Sequence, residues 1–182
     1  MRELVFIING SAGWGKDTFV DYVDEHLYLK GADFLLLNYS SVSKVKKVAE
    51  LCGWNGVKTE KDRKFLSDLK LLTTEYNDMA LNDMIEKVEG FRDFAQHHNR
   101  VIFLHIREPE EIERAKNVFN ALTILVKRDE VEHITSNMAD ANVLNYNYDI
   151  VVENNSGFDN LVKIASRFAN DIVNDELDIL YN

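Results

Sequence analysis

The feature that most constrains this chain is a glycine-punctuated turn set directly behind a short apolar run. Leu4-Val5-Phe6-Ile7-Ile8 leads into Gly10-Ser11-Ala12-Gly13-Trp14-Gly15-Lys16-Asp17-Thr18. An amphipathic segment follows, with Phe19, Val20, Val23 and Leu27 on one side. Glycine, four residues, then Gly-Lys is the spacing of a Walker A phosphate-binding loop. Its logic is physical. Glycines let the backbone turn so that successive N–H groups point inward at an anion. The helix that follows adds the positive end of its dipole, and Lys16 adds a full mobile charge. The setting predicts a strand over 3–9, a loop over 10–15 and a helix over 16–29.

The loop departs from the common pattern at one place. The Ser or Thr that usually follows the lysine, and whose hydroxyl reaches Mg2+, is Asp17 here, with Thr18 one position later. Two readings of Asp17 stay open. Its carboxylate can hold a magnesium ion, directly or through water, while Thr18 supports the α-phosphate. Alternatively it only complements the dipole at the first turn of the helix.

The rest of the chain alternates strands and helices. Asp33 to Asn38 reads as a short buried strand, and a helix over 42–52 turns Val42, Val45, Val48, Ala49 and Cys52 inward before stopping at Gly53. Lys44, Lys46 and Lys47 lie mostly elsewhere on its circumference, as a solvated cationic face. Thr59-Glu60-Lys61-Asp62 has the form of a capping box. Along the helix it starts, Phe65, Leu69, Leu72 and Tyr76 form one stripe, with Arg63, Ser67 and Lys70 opposite. Arg63 and Lys70 therefore face either bulk water or a cleft, and periodicity does not choose between them. A further helix runs from about 78 to 97. Its end carries His97-His98, adjacent positions that cannot place two metal ligands on one face.

Arg100 to Ile106 reads as the third strand, and Pro109 followed by Glu110 and Glu111 starts a helix. Arg107 then sits at the carboxyl end of a central strand, beside the phosphate loop, where a guanidinium pairs with an anion or with Glu108 or Glu111. Leu122 to Val126 is the fourth strand and ends in Lys127-Arg128; Asp149 to Val152 is the fifth. Between them the polar stretch 129–147 lacks a continuous core face and suits a lid. Glu153-Asn154-Asn155-Ser156-Gly157 leads into a last helix from Phe158 to about Val173, and the acidic residues Asp175 to Asp178 after it either fray or pack peripherally. The pattern predicts an α/β fold with a five-stranded parallel sheet covered by helices, its ligand cleft at the carboxyl ends of the strands.

Bulk properties narrow the class. At 182 residues the chain suits one domain, and its net charge of −10 argues against a sequence-independent nucleic-acid binder. An acidic exterior is compatible with one locally positive cleft. No apolar run approaches a membrane span, the start lacks a signal-peptide pattern, and Cys52 is the only cysteine. Cytoplasmic residence without a disulfide is the expectation. Cys52 itself reads as a small core residue rather than a nucleophile.

The motifs in order resemble the P-loop nucleoside and nucleotide kinases, in particular deoxynucleoside monophosphate kinases found in phages, with phosphomevalonate kinases as cousins. Gly15-Lys16-Asp17-Thr18 matches the Gly-Lys-Asp-Thr/Ser ending of that group. Lys47, Gly53-Trp54, Lys58 and Arg63 resemble its acceptor-binding region, His105 to Glu111 its Asp-x-Arg-x-Pro-x-Glu segment, and Asn154 to Gly157 the loop that approaches adenine. His105 stands where the group has Asp, so a metal or water role carried from that position is in question.

The resemblance implies a three-layer P-loop NTPase sandwich. Its core would be 1–39, 99–128 and 146–182, with a helical acceptor-binding insert over about 40–98 and a lid over about 129–145. It implies transfer of the ATP γ-phosphoryl group, with Mg2+, to a (deoxy)nucleoside monophosphate. Gly10 through Thr18 and Asn154 would bind the nucleotide, with Asp17 on the metal. Ser41, Lys47, Arg63, Lys70 and Arg107 would bind the acceptor. Lys16, Asp17, Arg63, Arg107 and Arg128 would serve the transfer, Arg128 from the lid side. Small nucleotides would be the partners, with neither sequence-specific nucleic acid nor membrane, and a homodimer is allowed but not required. Two alternatives stay open: a kinase of the same build acting on another phosphorylated metabolite (phosphomevalonate or a coenzyme precursor), and a regulatory module that binds ATP or GTP without transfer.

Overall fold

The computed structural model describes residues 1–131 and 142–182. Its contacts divide into two compact units, Met1–Asn38 with Ala95–Asn182, and Tyr39–Phe94. The first unit is built on a sheet in the order β2-β3-β1-β4-β5-β6. The strands are β1 (Glu3–Asn9), β2 (Phe34–Ser40), β3 (Asn99–His105), β4 (Leu122–Lys127), β5 (Ile150–Glu153) and β6 (Leu180–Tyr181). The ladders β3–β1, β1–β4, β4–β5 and β5–β6 are all parallel. Parallel neighbours need crossover connections, and helices α1 (Lys16–Leu29), α5 (Pro109–Phe119) and α6 (Phe158–Asn174) flank the sheet. The fold is α/β, with a parallel sheet covered by helices.

Alternation along β1 explains why it sits in the middle. Phe6 and Ile8 point to the face covered by α1 and α6, where they join Phe19, Val23, Leu27, Phe103, Ile124, Leu161, Ile164, Phe168 and Ile172. Val5 and Ile7, also buried, point the other way, as a strand covered on both faces requires. Phe168 is the hub of the first face. Its ring lies 5.3 Å from Phe6, 5.2 Å from Phe19 and 5.0 Å from Tyr181.

The sheet has six strands, not the five that the hydrophobic pattern predicts. The sixth is two residues long, below the length at which alternation can be seen. After α6 the chain turns at Asp175, in the left-handed region at φ 64°, and returns beside β5. Tyr181 fixes it there. The ring is fully buried, its hydroxyl donates to Asp171 Oδ2 at 3.0 Å and accepts from the Asp178 N–H at 2.9 Å, and Arg167 lies over its face. So the acidic end does not fray. β2 differs too. It runs on to Ser40, and it is a half-buried edge strand rather than a buried one.

The second unit holds α2 (Ser43–Leu51), α3 (Glu60–Asn77) and α4 (Met79–Phe94). The capping box forms as the sequence requires: Thr59 Oγ1 accepts from the Asp62 N–H at 3.2 Å, and Asp62 accepts from the Thr59 N–H at 3.0 Å. Two expectations fail here. Cys52 is exposed, because α2 ends at Leu51 and leaves it as the C-cap beyond the inward face. On α3 the stripe of Phe65, Leu72 and Tyr76 is exposed, while Leu66, Leu69, Lys70, Thr73 and Thr74 are half-buried. Periodicity shows that a helix has two sides, and the polar Thr73, satisfied by the Leu69 carbonyl at 2.8 Å, lets the less apolar side turn inward. The unit's buried polar centre is Asp83, which accepts from the Tyr39 hydroxyl at 2.6 Å and lies 3.9 Å from Lys44 Nζ. Burial and that bond push the Tyr39 phenol up to about 12.

Tyr181→Ala is expected to destabilise the protein by about 3–5 kcal/mol, the usual cost of removing a buried aromatic. Tyr181→Phe should cost only about 1 kcal/mol. Urea unfolding of the two variants checks this, and equal small losses would mean that β6 is not part of the core.

Candidate functional site

The site grows from the carboxyl edge of β1 and β3. These strands are neighbours, with Ile8 opposite His105. After β1 the chain enters α1, on the same face as α6. After β3 it enters α5, which packs on β1 and β4. The loops 10–15 and 106–108 therefore part at this edge and leave a crevice, the place where open parallel sheets bind ligands.

Asn9, buried at the end of β1, ties the two loops together. Its Oδ1 accepts from the Gly10 N–H at 2.8 Å, and its Nδ2 donates to the Arg107 carbonyl at 3.1 Å and to the Tyr148 hydroxyl at 2.8 Å. The Tyr148 hydroxyl in turn donates to the Val143 carbonyl at 2.8 Å. Neither Asn9 nor Tyr148 stands out in the sequence. The only available signal was a polar residue ending an otherwise apolar strand.

The glycines of the loop have steric reasons. A Cβ on Gly10 would lie 2.6 Å from the Val126 carbonyl oxygen, so the loop crosses β4 at a distance only glycine allows. Gly15 caps α1 at φ 94°, and a Cβ there would lie 2.7 Å from Asn154 Nδ2. As cap it brings no side-chain acceptor to the first turn, whose N–H groups lack intrahelical partners by construction. Such an end receives an anion favourably.

The predicted residues divide into three sets. Trp14 and Asn154 brace the loop. The Trp14 indole is buried against Leu125 and Val143 and donates to the Val131 carbonyl at 3.2 Å. Asn154 is buried beneath it. Its Nδ2 donates to the Trp14 carbonyl at 3.0 Å, and its Oδ1 has no hydrogen-bond partner among the described residues.

Lys16, Asp17, His105 and Arg107 form the charged set. Lys16 Nζ lies 3.6 Å from Asp17 Oδ1, and His105 Nδ1 lies 3.4 Å from the same oxygen. His105 Nε2 lies 2.7 Å from Asn38 Oδ1. Burial pulls the imidazole down to about 4; the Asp17 carboxylate opposes this, while the charges of Lys16 and Arg107 add to it. The ring is thus neutral at physiological pH. Arg128 Nη2 lies 3.5 Å from Glu130 Oε2, and its buried Nε has no hydrogen-bond partner among the described residues.

The third set lies in the 39–94 unit. Ser41 is buried just before α2, Lys47 and Arg63 are exposed, and Lys70 is half-buried. Most of the lid segment, residues 132–141, lies outside the described residues. His98 pairs with Asp33 at 2.6 Å, and His97 is exposed.

A divalent cation fits the chemistry at the head of α1. Asp17 offers an exposed carboxylate there, and His105 a ring nitrogen. No group of three His, Cys, Asp or Glu side chains that could hold a metal exists among the described residues. No family model matches this chain, and no curated protein matches it. No helix among the described residues is long and apolar enough to cross a membrane.

The depressed His105 pKa predicts a pH effect. Between about 4 and the ordinary 6.5 the unfolded chain binds a proton here that the folded one does not. Stability should therefore fall as pH drops from 6.5 towards 4, and His105→Asn should flatten that part of the profile. Thermal melts from pH 7.5 to 4.5 read this directly, and identical slopes for the two proteins would contradict it.

Proposed function

We propose that the protein is an ATP-dependent small-molecule kinase that transfers the γ-phosphoryl group to a (deoxy)nucleoside monophosphate. The observation that carries the reading is the meeting of a glycine-turned loop, the uncapped head of α1, Lys16 and Arg107 at the carboxyl edge of adjacent parallel strands. On this reading residues 10–18 form the phosphate loop of a P-loop NTPase fold.

Phosphoryl transfer asks a protein mainly for positioning and for neutralising charge. The N–H groups of the loop and of the first turn of α1 bind the triphosphate, and Lys16 draws charge from the β and γ oxygens. The loop holds its shape because Trp14 and Asn154 fix it from behind. Asp17 would hold Mg2+, which when bound supplies further neutralisation of those oxygens. Arg107 presents a fork of N–H donors suited to an acceptor's phosphate, the task that the resemblance to nucleotide kinases also gives Arg63 and Lys70. Arg128 covers the transferring group. Holding both phosphates in line replaces a bimolecular encounter with an oriented one.

Lys16→Ala should abolish turnover, whereas Arg63→Ala should mainly raise the acceptor KM. A coupled ADP-release assay with ATP and Mg2+, run across all ribo- and deoxynucleoside monophosphates and phosphomevalonate, tests the reading. Turnover with one or a few monophosphates supports it. Turnover with phosphomevalonate alone would move the acceptor class, and ATP binding without turnover on any acceptor would replace the kinase by a nucleotide-binding module.

A further inference from the structure

Among the described residues, α3 is the one helix without a buried residue. Its apolar side chains are nevertheless large and gathered on one side. Leu72 is 64% exposed, Leu71 61% and Tyr76 85%, with Phe65 at 36%. Lys61, Phe65, Asp68, Leu72 and Tyr76 succeed one another at steps of three and four residues, so they line one seam of the helix. Lys64, Leu71 and Glu75 run beside it. We propose that this face is where two copies of the chain meet, α3 packing antiparallel against α3 across a two-fold axis that passes near Asp68.

The order of the charges selects this occupant. On this face the cations Lys61 and Lys64 come before the carboxylates Asp68 and Glu75. With Lys61 in the first turn and Glu75 in the last, that order is the reverse of what the helix dipole favours. A parallel neighbour would set like charges together. An antiparallel copy instead sets Lys61 beside Glu75 and the Tyr76 ring of its mate, and Phe65 against Leu72. All of these matches share one midpoint, so a two-fold axis repeats each of them. At the axis the two Lys64–Asp68 pairs, each closed within its own chain at 2.7 Å, come together, and neither carboxylate meets its twin without a cation beside it.

Length sets the strength. Eighteen residues make a helix about 27 Å long. One seam of that length buries less than the roughly 800 Å2 per partner of a standard interface, so the dimer is weak, with a dissociation constant on the order of 10 µM. Arg63 and Lys70 lie on the opposite side of α3 and stay clear of the seam. The inference does not rest on the function proposed above.

Sedimentation velocity of the full chain, over a roughly thousandfold range of concentration centred on that constant, tests it. A monomer is expected at the dilute end and a dimer at the concentrated end. Leu72→Lys should weaken association about tenfold or more. Lys61→Glu should weaken it too, and Lys61→Glu combined with Glu75→Lys should recover it, because the cross-pair is only exchanged. All three positions are exposed, so far-UV circular dichroism should show the fold intact. Disulfide trapping reads the geometry. In a Cys52→Ser background, which removes the one cysteine, Asp68→Cys should give a covalent dimer on mild oxidation. Glu75→Cys should not, since the two copies of residue 75 stand roughly 20 Å apart.

A monomer throughout the range overturns the proposal. If Leu72→Lys then raises the KM for a nucleoside monophosphate, the stripe belongs to a small ligand instead. A dimer that Leu72→Lys leaves unchanged, or that Glu75→Cys traps, meets through another surface and overturns the proposal as well. Failure of the charge exchange to recover association overturns the antiparallel match.

Discussion

One buried amide ties together the two loops at the carboxyl edge of the sheet. Asn9 uses both ends of its side chain, accepting from the first N–H of the glycine loop and donating to the carbonyl of Arg107 in the loop after the neighbouring strand. Its second donor proton engages Tyr148, just ahead of β5. Because the group is buried, each bond lost would leave a polar atom without water to replace its partner. The spacing of the two loops is therefore fixed by hydrogen bonding as well as by the sheet beneath them.

Around that frame the loop is packed at Gly10, Trp14 and Gly15, while Ala12 and Gly13 stay exposed. Gly10 passes against the Val126 carbonyl, Gly15 against Asn154, and the Trp14 ring fills the gap beside Leu125. A loop braced from behind keeps its N–H groups aimed without reorganisation when an anion arrives, which is how fixed dipoles act most strongly. The charge pattern agrees. A chain of net charge −10 brings Lys16 and Arg107 to one half-buried ring, with the Asp17 carboxylate beside it.

Much of this was legible in the sequence where local and global preferences agree. The apolar run before Gly10, Pro109 at a helix start and Thr59 to Asp62 as a capping box all form as their chemistry requires. What could not be read had too little pattern, or two patterns at once. β6 is two residues long, and it is held by one tyrosine rather than by alternation. Helix α3 carries a conspicuous apolar stripe at Phe65, Leu72 and Tyr76 that stays exposed, and Cys52 falls one residue past the end of its helix. In the crevice, the loop and Arg107 could be placed from spacing alone. The bonds of Asn9, and the approach of His105 to Asp17, depend on the register of β1 against β3, which no local signal encodes.

The central claim is that backbone donors between residues 10 and 18 grip a polyphosphate. The most direct measurement is an ATP titration of the 15N-labelled protein, followed through its amide resonances. The account predicts that the largest shifts cluster at Gly13 through Thr18, and that tripolyphosphate alone reproduces them. If ATP binds while those amides stay unmoved, or if tripolyphosphate perturbs only other parts of the chain, the account is contradicted.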